Sequence, residues 1–264
     1  MNSIWQKGEN FTHLYLVTTG GKMVMQISFL KTIELFSQAS NTTLEQLSKV
    51  AMNFFYRKNT LVMDYDQSLR NFLYVTNGWL KLFRVSVDGE EIIIDILSQD
   101  NYYGESLITT SSREEAYMAH AISDLKGFTL PLDKLKQLLT LDSNLSFSFL
   151  QKMSQKQLLL NAHIEHLSIQ NAMQRIGCFL LRLNNNVNTN YQKSTTIHLP
   201  YPKNILALKL GMRPETFSRA ISKLYTRCDV QIKGEYVDIP QPKKLISYVC
   251  QHCSKTFPCN LPID

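Results

Sequence analysis

The 264-residue sequence predicts an α+β chain: an N-terminal antiparallel β-roll, a long helix, and a C-terminal winged helix-turn-helix. Three observations predict it. Residues 54–130 hold short runs of β-branched and aromatic residues separated by Gly-containing turns. From Asp133 to about Leu183 there is hardly a helix breaker, and apolar residues recur at helical spacing. From Lys203 onward, two amphipathic pieces flank Gly211 and a short hairpin follows around Gly234.

In chain order, residues 1–27 show no sustained period; they are an N-terminal extension to which no fold is assigned. Residues 28–132 form the β-roll domain. Its first part reads as helical from Ile27 to Val50, with an N-cap expected within Asn41-Thr42-Thr43. The strands FFYRKNTLV, NFLYVTNGWLKLFRVSVDGEEIIIDIL and AYMAHAISDLKGFTL follow, punctuated by Asn77-Gly78, Asp88-Gly89 and Lys126-Gly127. Residues 133–169 are the long helix, or part of a pair. Leu145, Phe149, Met153, Leu160, Ile164 and Leu167 make a stripe wide enough to pack on the roll and on a second copy, so it is expected to dimerise.

Residues 170–249 form the C-terminal domain, with a loop expected at 184–194. Ala207 lies where two helices must cross closely, and Gly211, four residues on, suits a left-handed turn. Pro214 suits the first helical position. On the helix that follows, Phe217, Ala220, Ile221 and Leu224 share one arc, whereas Glu215, Ser218, Arg219, Ser222 and Lys223 occupy the other. Residues 250–264 are a cysteine-containing tail.

Composition narrows the function. No run approaches the roughly 20 apolar residues of a membrane span, and no secretory leader is recognisable, so a cytoplasmic protein without membrane association is expected. All five cysteines follow residue 177, which argues against a secreted disulfide framework. Residues 170–264 hold 13 Lys and Arg against 5 Asp and Glu, whereas residues 1–169 hold 15 against 17. The basic excess is therefore C-terminal, where it favours a phosphate-backbone partner over a merely solvated surface.

A recognition helix needs forked donors for guanine, a carboxylate to accept from an amino group, and short hydroxyls near phosphate or thymine. The segment offers Arg213, Glu215, Thr216, Ser218, Arg219 and Lys223, with Lys233 on the hairpin able to reach the DNA backbone. The bland alternative is an amphipathic helical hairpin.

The order of helix, roll with an Asp-Gly-Glu turn, Gly104-Glu105, long helix and Pro-Glu-Thr-Phe-Ser-Arg resembles the Crp/Fnr family of bacterial transcription regulators over about residues 28–249. LSIQNAMQRIGCFLLRL (167–183) and RPETFSR (213–219) are most similar to its Dnr-type, nitric-oxide-responsive branch, a resemblance that implies a haem-linked response. The resemblance implies a cyclic-nucleotide-binding-like roll, a homodimer on an inverted repeat of double-stranded DNA with TTGA-like half-sites, contact with RNA polymerase, and no enzymatic activity. TRCDV stands where the family usually has a Gly before the wing.

In nucleotide-binding relatives a Gly-Glu pair holds the ribose and a later Arg-Ser pair holds the cyclic phosphate. Gly104-Glu105 match the first, but Glu115-Ala116 occupy the place of the second. A carboxylate there repels a phosphate, so a cyclic nucleotide is not the expected effector, and Arg113 serves only if the loop shifts. Haem would need an axial ligand from His13, His120, His163, His166 or His198, none singled out by spacing. Cys250, Cys253 and Cys259 suggest a small metal knuckle, a redox-active dithiol or incidental thiols; Cys178 and Cys228 read as packing residues. Two rivals to a DNA-binding regulator are a ligand-binding module docking a protein partner, and a thiol oxidoreductase, which lacks a βαβ pattern around Cys-x2-Cys.

Overall fold

The computed structural model describes residues 16–19, 22–65, 70–89, 91–110, 117–187, 194–199 and 202–252. It divides into two compact units, Met1–Gln155 and Lys156–Asp264.

The first unit begins with an antiparallel hairpin, β1 (Leu16–Thr19) and β2 (Lys22–Met25), in a stretch whose sequence shows no period. The expected helix over 27–50 is two: α1 (Ile27–Thr32) and α2 (Asn41–Val50). Ile33 turns extended at the end of α1, and the intervening turn buries Ile33, Leu35 and Phe36. The N-cap of α2 is Ser40, one residue ahead of the expected trio. Its hydroxyl accepts from the Thr43 N–H at 3.2 Å, so one of the first free amides of the helix gains a partner.

The roll comprises β3 (Met52–Tyr56), β4 (Leu61–Met63), β5 (Asn71–Asn77), β6 (Leu80–Val85), β7 (Glu91–Leu97), β8 (Tyr102–Tyr103), β9 (Met118–Ala121) and β10 (Leu125–Pro131). They form two antiparallel sheets in the orders β3-β10-β5-β8 and β4-β9-β6-β7. Of the three Gly-containing turns expected, only Asp88-Gly89 joins paired strands, β6 and β7. Asn77-Gly78 instead carries the chain from one sheet to the other. Lys126-Gly127 is no turn: it lies within β10, where the register against β5 slips by one residue. Phe36, Phe72, Tyr74 and Phe128 fill the interior, with Tyr74 and Phe128 stacked at 5.1 Å.

The breaker-free stretch after Pro131 is three helices, α3 (Leu132–Leu141), α4 (Ser143–Ile169) and α5 (Ala172–Val187). Asp142 makes the first division. It ends α3, and its carboxylate accepts from the N–H groups of Asn144 and Leu145 at 3.1 Å each and of Ser40 at 2.8 Å. The expected stripe on α4 is also divided. Leu145 and Phe149 are buried, Phe149 against Phe36 and Phe72, whereas Met153, Leu160, Ile164 and Leu167 are exposed.

The second unit contains α5, β11 (Thr195–His198), α6 (Lys203–Lys209), α7 (Pro214–Cys228), β12 (Gln231–Lys233), β13 (Tyr236–Ile239), α8 (Pro242–Val249) and a 3-10 turn at Cys250–His252. Helix α5 runs to Val187, four residues into the expected loop. The wing is a three-stranded sheet, β11-β13-β12, with one strand more than the expected hairpin. Ile176, Leu180, Leu206, Leu224, Val237 and Leu245 make its core. Cys178 and Cys228 are buried here, in line with the packing reading. Among the described residues no helix is long and apolar enough to cross a membrane.

Candidate nucleic-acid interface and effector region

The local fold around α7 follows from a few residues. Leu206 and Ala207 are fully buried under it, and the helix-to-helix turn is closed by the Met212 N–H donating to the Ala207 carbonyl at 3.0 Å. Gly211 sits at φ +65°, a left-handed conformation that costs a residue with a Cβ about 1 kcal/mol or more. Arg213 is extended and Pro214 opens the helix. Phe217, Ala220, Leu224 and Cys228 are buried, which fixes the rotation of α7 about its axis. Ile221 is half-buried.

That rotation leaves Glu215, Thr216, Ser218, Arg219, Ser222 and Lys223 exposed, with Arg213 exposed just ahead of them. The Ser218 hydroxyl donates to the Pro214 carbonyl at 3.0 Å, so its oxygen keeps lone pairs for an incoming donor. The resulting surface offers two guanidinium groups, an ammonium, a carboxylate and hydroxyls within three helical turns.

The wing follows without the expected glycine. Asp229 itself takes the left-handed position at φ 60°, and its carboxylate accepts from Lys244 at 2.9 Å and from Gln241 at 3.4 Å. Asp tolerates this conformation better than most residues. Lys233 is exposed on the wing, and its ammonium lies 3.9 Å from the Asp238 carboxylate, which also accepts from Thr196 at 2.7 Å. The sequence reading missed β11, because the four residues TTIH are too short for a period to show.

In the roll, Gly104 has φ +109°, and a Cβ there would stand 3.2 Å from the Asn71 carbonyl oxygen. The backbone approach alone therefore accounts for a glycine at this position. Glu105 follows it, just before the 3-10 turn Ser106–Ile108. Arg113 and Glu115, on which the cyclic-nucleotide argument rests, lie outside the described residues.

The histidines do not converge on the roll interior. His120 alternates with the buried Ala119 and Ala121 and so faces outward on β9. Burial first, then the Lys81 ammonium, lowers its pKa from the ordinary value. His198 lies in the wing, 3.3 Å from Glu235, while His163 and His166 are on α4 in the second unit; His13 lies outside the described residues. No described histidine therefore lies inside the roll to serve a haem there. Cys250 is half-buried at the start of the last 3-10 turn, while Cys253 and Cys259 are outside the described residues. Among the described residues no group of three His, Cys, Asp or Glu side chains is arranged to hold a metal ion.

Comparison with known proteins accords with this geometry. A model of the cyclic nucleotide-binding domain matches residues 54–142, and one of the Crp-like helix-turn-helix domain matches residues 174–248. Global nitrogen regulators of Nostoc sp. and Synechococcus elongatus are 26% and 28% identical over 192 residues, each spanning 72% of this chain and 86% of its own length. Among solved structures, FixK2 from Bradyrhizobium japonicum has a TM-score of 0.60 at 21% identity, covering 74% of this chain and 96% of its own. A CooA mutant from Carboxydothermus hydrogenoformans has a TM-score of 0.62 at 15% identity, covering 80% of this chain and 90% of its own. These two structural likenesses establish the fold.

Proposed function

Because the chain belongs to the Crp/Fnr family of DNA-binding transcription regulators, we propose that it acts as a homodimer reading an inverted DNA repeat with α7. The observation that supports this reading is the composition of α7's free face. A helix whose opposite side is locked by Phe217, Ala220 and Leu224 presents Arg213, Glu215, Thr216, Ser218, Arg219 and Lys223 together. Arg219 hydrogen-bonds a guanine, Glu215 accepts from a cytosine or adenine amino group, and Ser218 contacts a thymine or phosphate. Lys233 attracts the backbone from the wing, and the homodimer engages RNA polymerase as the family resemblance implies. No catalytic step is assigned to the protein.

The effector in this proposal is a small molecule other than a cyclic nucleotide, since Glu115 stands where nucleotide-binding relatives carry an Arg. Segments 167–183 and 213–219 support placement in the Dnr-like branch. A haem-linked response through a histidine inside the roll then draws on a residue beyond the described ones, such as His13.

A binding titration on a TTGA-type inverted repeat and its single-base variants at fixed salt tests the assignment. Arg219→Ala is expected to cost about 1–3 kcal/mol and to relax preference at one base pair per half-site. Lys233→Ala should weaken all sequences alike. Because Asp238 already partly neutralises Lys233, the salt slope should fall by less than about one. An equal loss on every variant for Arg219→Ala would make that residue a phosphate clamp and overturn the register. Retained effector binding with no DNA binding at all would favour the protein-docking module.

A further inference from the structure

Within the second unit, α4, α5 and the end of α6 line a partly open cavity of about 60 Å³. Its polar lining is Gln170, Arg175, Arg182, His163, His166 and Lys209, and among the described lining residues none is acidic. Apolar walls from Leu159, Phe179 and Leu210 complete it.

The hydrogen-bond inventory of this lining is incomplete. Gln170 is 7% exposed, yet neither its side-chain oxygen nor its nitrogen has a partner. The Nε atoms of Arg175 and Arg182 are also buried without one. Burial lowers the pKa of Arg175, so its charge is held in a poorly solvated place. A buried amide left unpaired costs about 1–3 kcal/mol, and a shielded guanidinium edge more, so this arrangement is stable only if something supplies acceptors.

We propose that this cavity binds a small, diffusible oxyanion, a phosphate or carboxylate group, held by the Arg175 and Arg182 guanidinium groups and the Gln170 amide. The chemistry fits. Guanidinium edges match the oxygen pairs of both anions, an amide N–H adds a further donor, and the absence of acidic lining residues removes the repulsion that would exclude them. A volume of about 60 Å³ holds several water-sized spheres, which suits a compact anion.

The site is also separate from the surface proposed for dimerisation. Leu159, Ala162, His163, His166 and Gln170 recur along one face of the chain through α4, whereas the exposed Leu150, Met153, Leu160, Ile164 and Leu167 recur along a neighbouring face, about 110° round the helix. An anion bound here bridges the end of α4 to the first helix of the helix-turn-helix.

Thermal unfolding of the full-length protein tests the proposal, with inorganic phosphate and succinate titrated separately against chloride at matched ionic strength. At least one is expected to raise Tm saturably. Gln170→Leu removes two unpaired atoms, so it should fold normally and weaken the response roughly tenfold or more. Gln170→Glu places a carboxylate in the cavity; it should raise Tm in buffer alone and abolish the response. No saturable effect from either anion overturns the proposal. So does a response unchanged in both variants, which would place the anion elsewhere, such as the basic face of α7.

Discussion

Asp142 shows how one side chain ties distant parts of a fold together. It is 7% exposed and joins the start of α2 to the start of α4. Burial pushes its pKa up, but hydrogen bonds from Thr43, Ser40 and Leu145 outweigh that and bring it from 3.8 to about 2. The carboxylate is therefore more acidic in the folded chain than in the unfolded one. Its contribution is complete above about pH 4 and is lost as pH falls towards about 2. Asp142→Asn is expected to lower stability by about 2 kcal/mol at neutral pH and to flatten the acid limb over that window, measurable by urea unfolding at a series of pH values. None of this is legible from sequence. Asp142 reads as one more polar residue in a helical run, because its partners Ser40 and Thr43 lie a hundred residues away. Gln170 escaped for the same reason: lack of a partner is a property of three-dimensional neighbours.

At the scale of elements, α4 repays the closest reading. Its 27 residues make a rod about 40 Å long. Leu150, Met153, Leu160, Ile164 and Leu167 are exposed at alternating spacings that match the a and d positions of a heptad, with Gln157 in the remaining place. This seam supports the proposed dimer. A polar residue at one such position favours correct register at a cost in affinity. Gln157→Leu is therefore expected to tighten the dimer at least about tenfold in sedimentation equilibrium, while Ile164→Glu yields monomers. Unchanged association in both would place the interface elsewhere. The sequence showed the stripe but merged two faces, since Leu145 and Phe149 share its spacing yet belong to the roll's core. The recognition-helix candidate was easier to read: Pro214 marks its start, and a period of 3.6 separates its two faces cleanly. Turns were harder. Asn77-Gly78 and Lys126-Gly127 have turn composition, but which strands pair is set by the closing of two sheets, not by local preference.

For the whole molecule, fold class and element order were legible because each rests on a long or repeated signal: regular strand spacing, 50 residues with hardly a breaker, and a basic excess confined to one end. Short features were not. The hairpin β1-β2 and strand β11, each strand only four residues, become stable through their neighbours and leave no periodic trace. The apolar seam of α4 also makes the chain sensitive to phase. Along a helix, each added residue turns the helical residues beyond it by about 100°. Inserting seven residues after Lys156 adds about two turns and nearly keeps Leu160, Ile164 and Leu167 in line with Leu150 and Met153; inserting two turns them by about 200°, out of the seam. Operator binding by the two insertion variants, measured in parallel, should therefore survive the longer insertion better than the shorter one. In such a protein the number of residues between two surfaces is inherited information, as much as their identity.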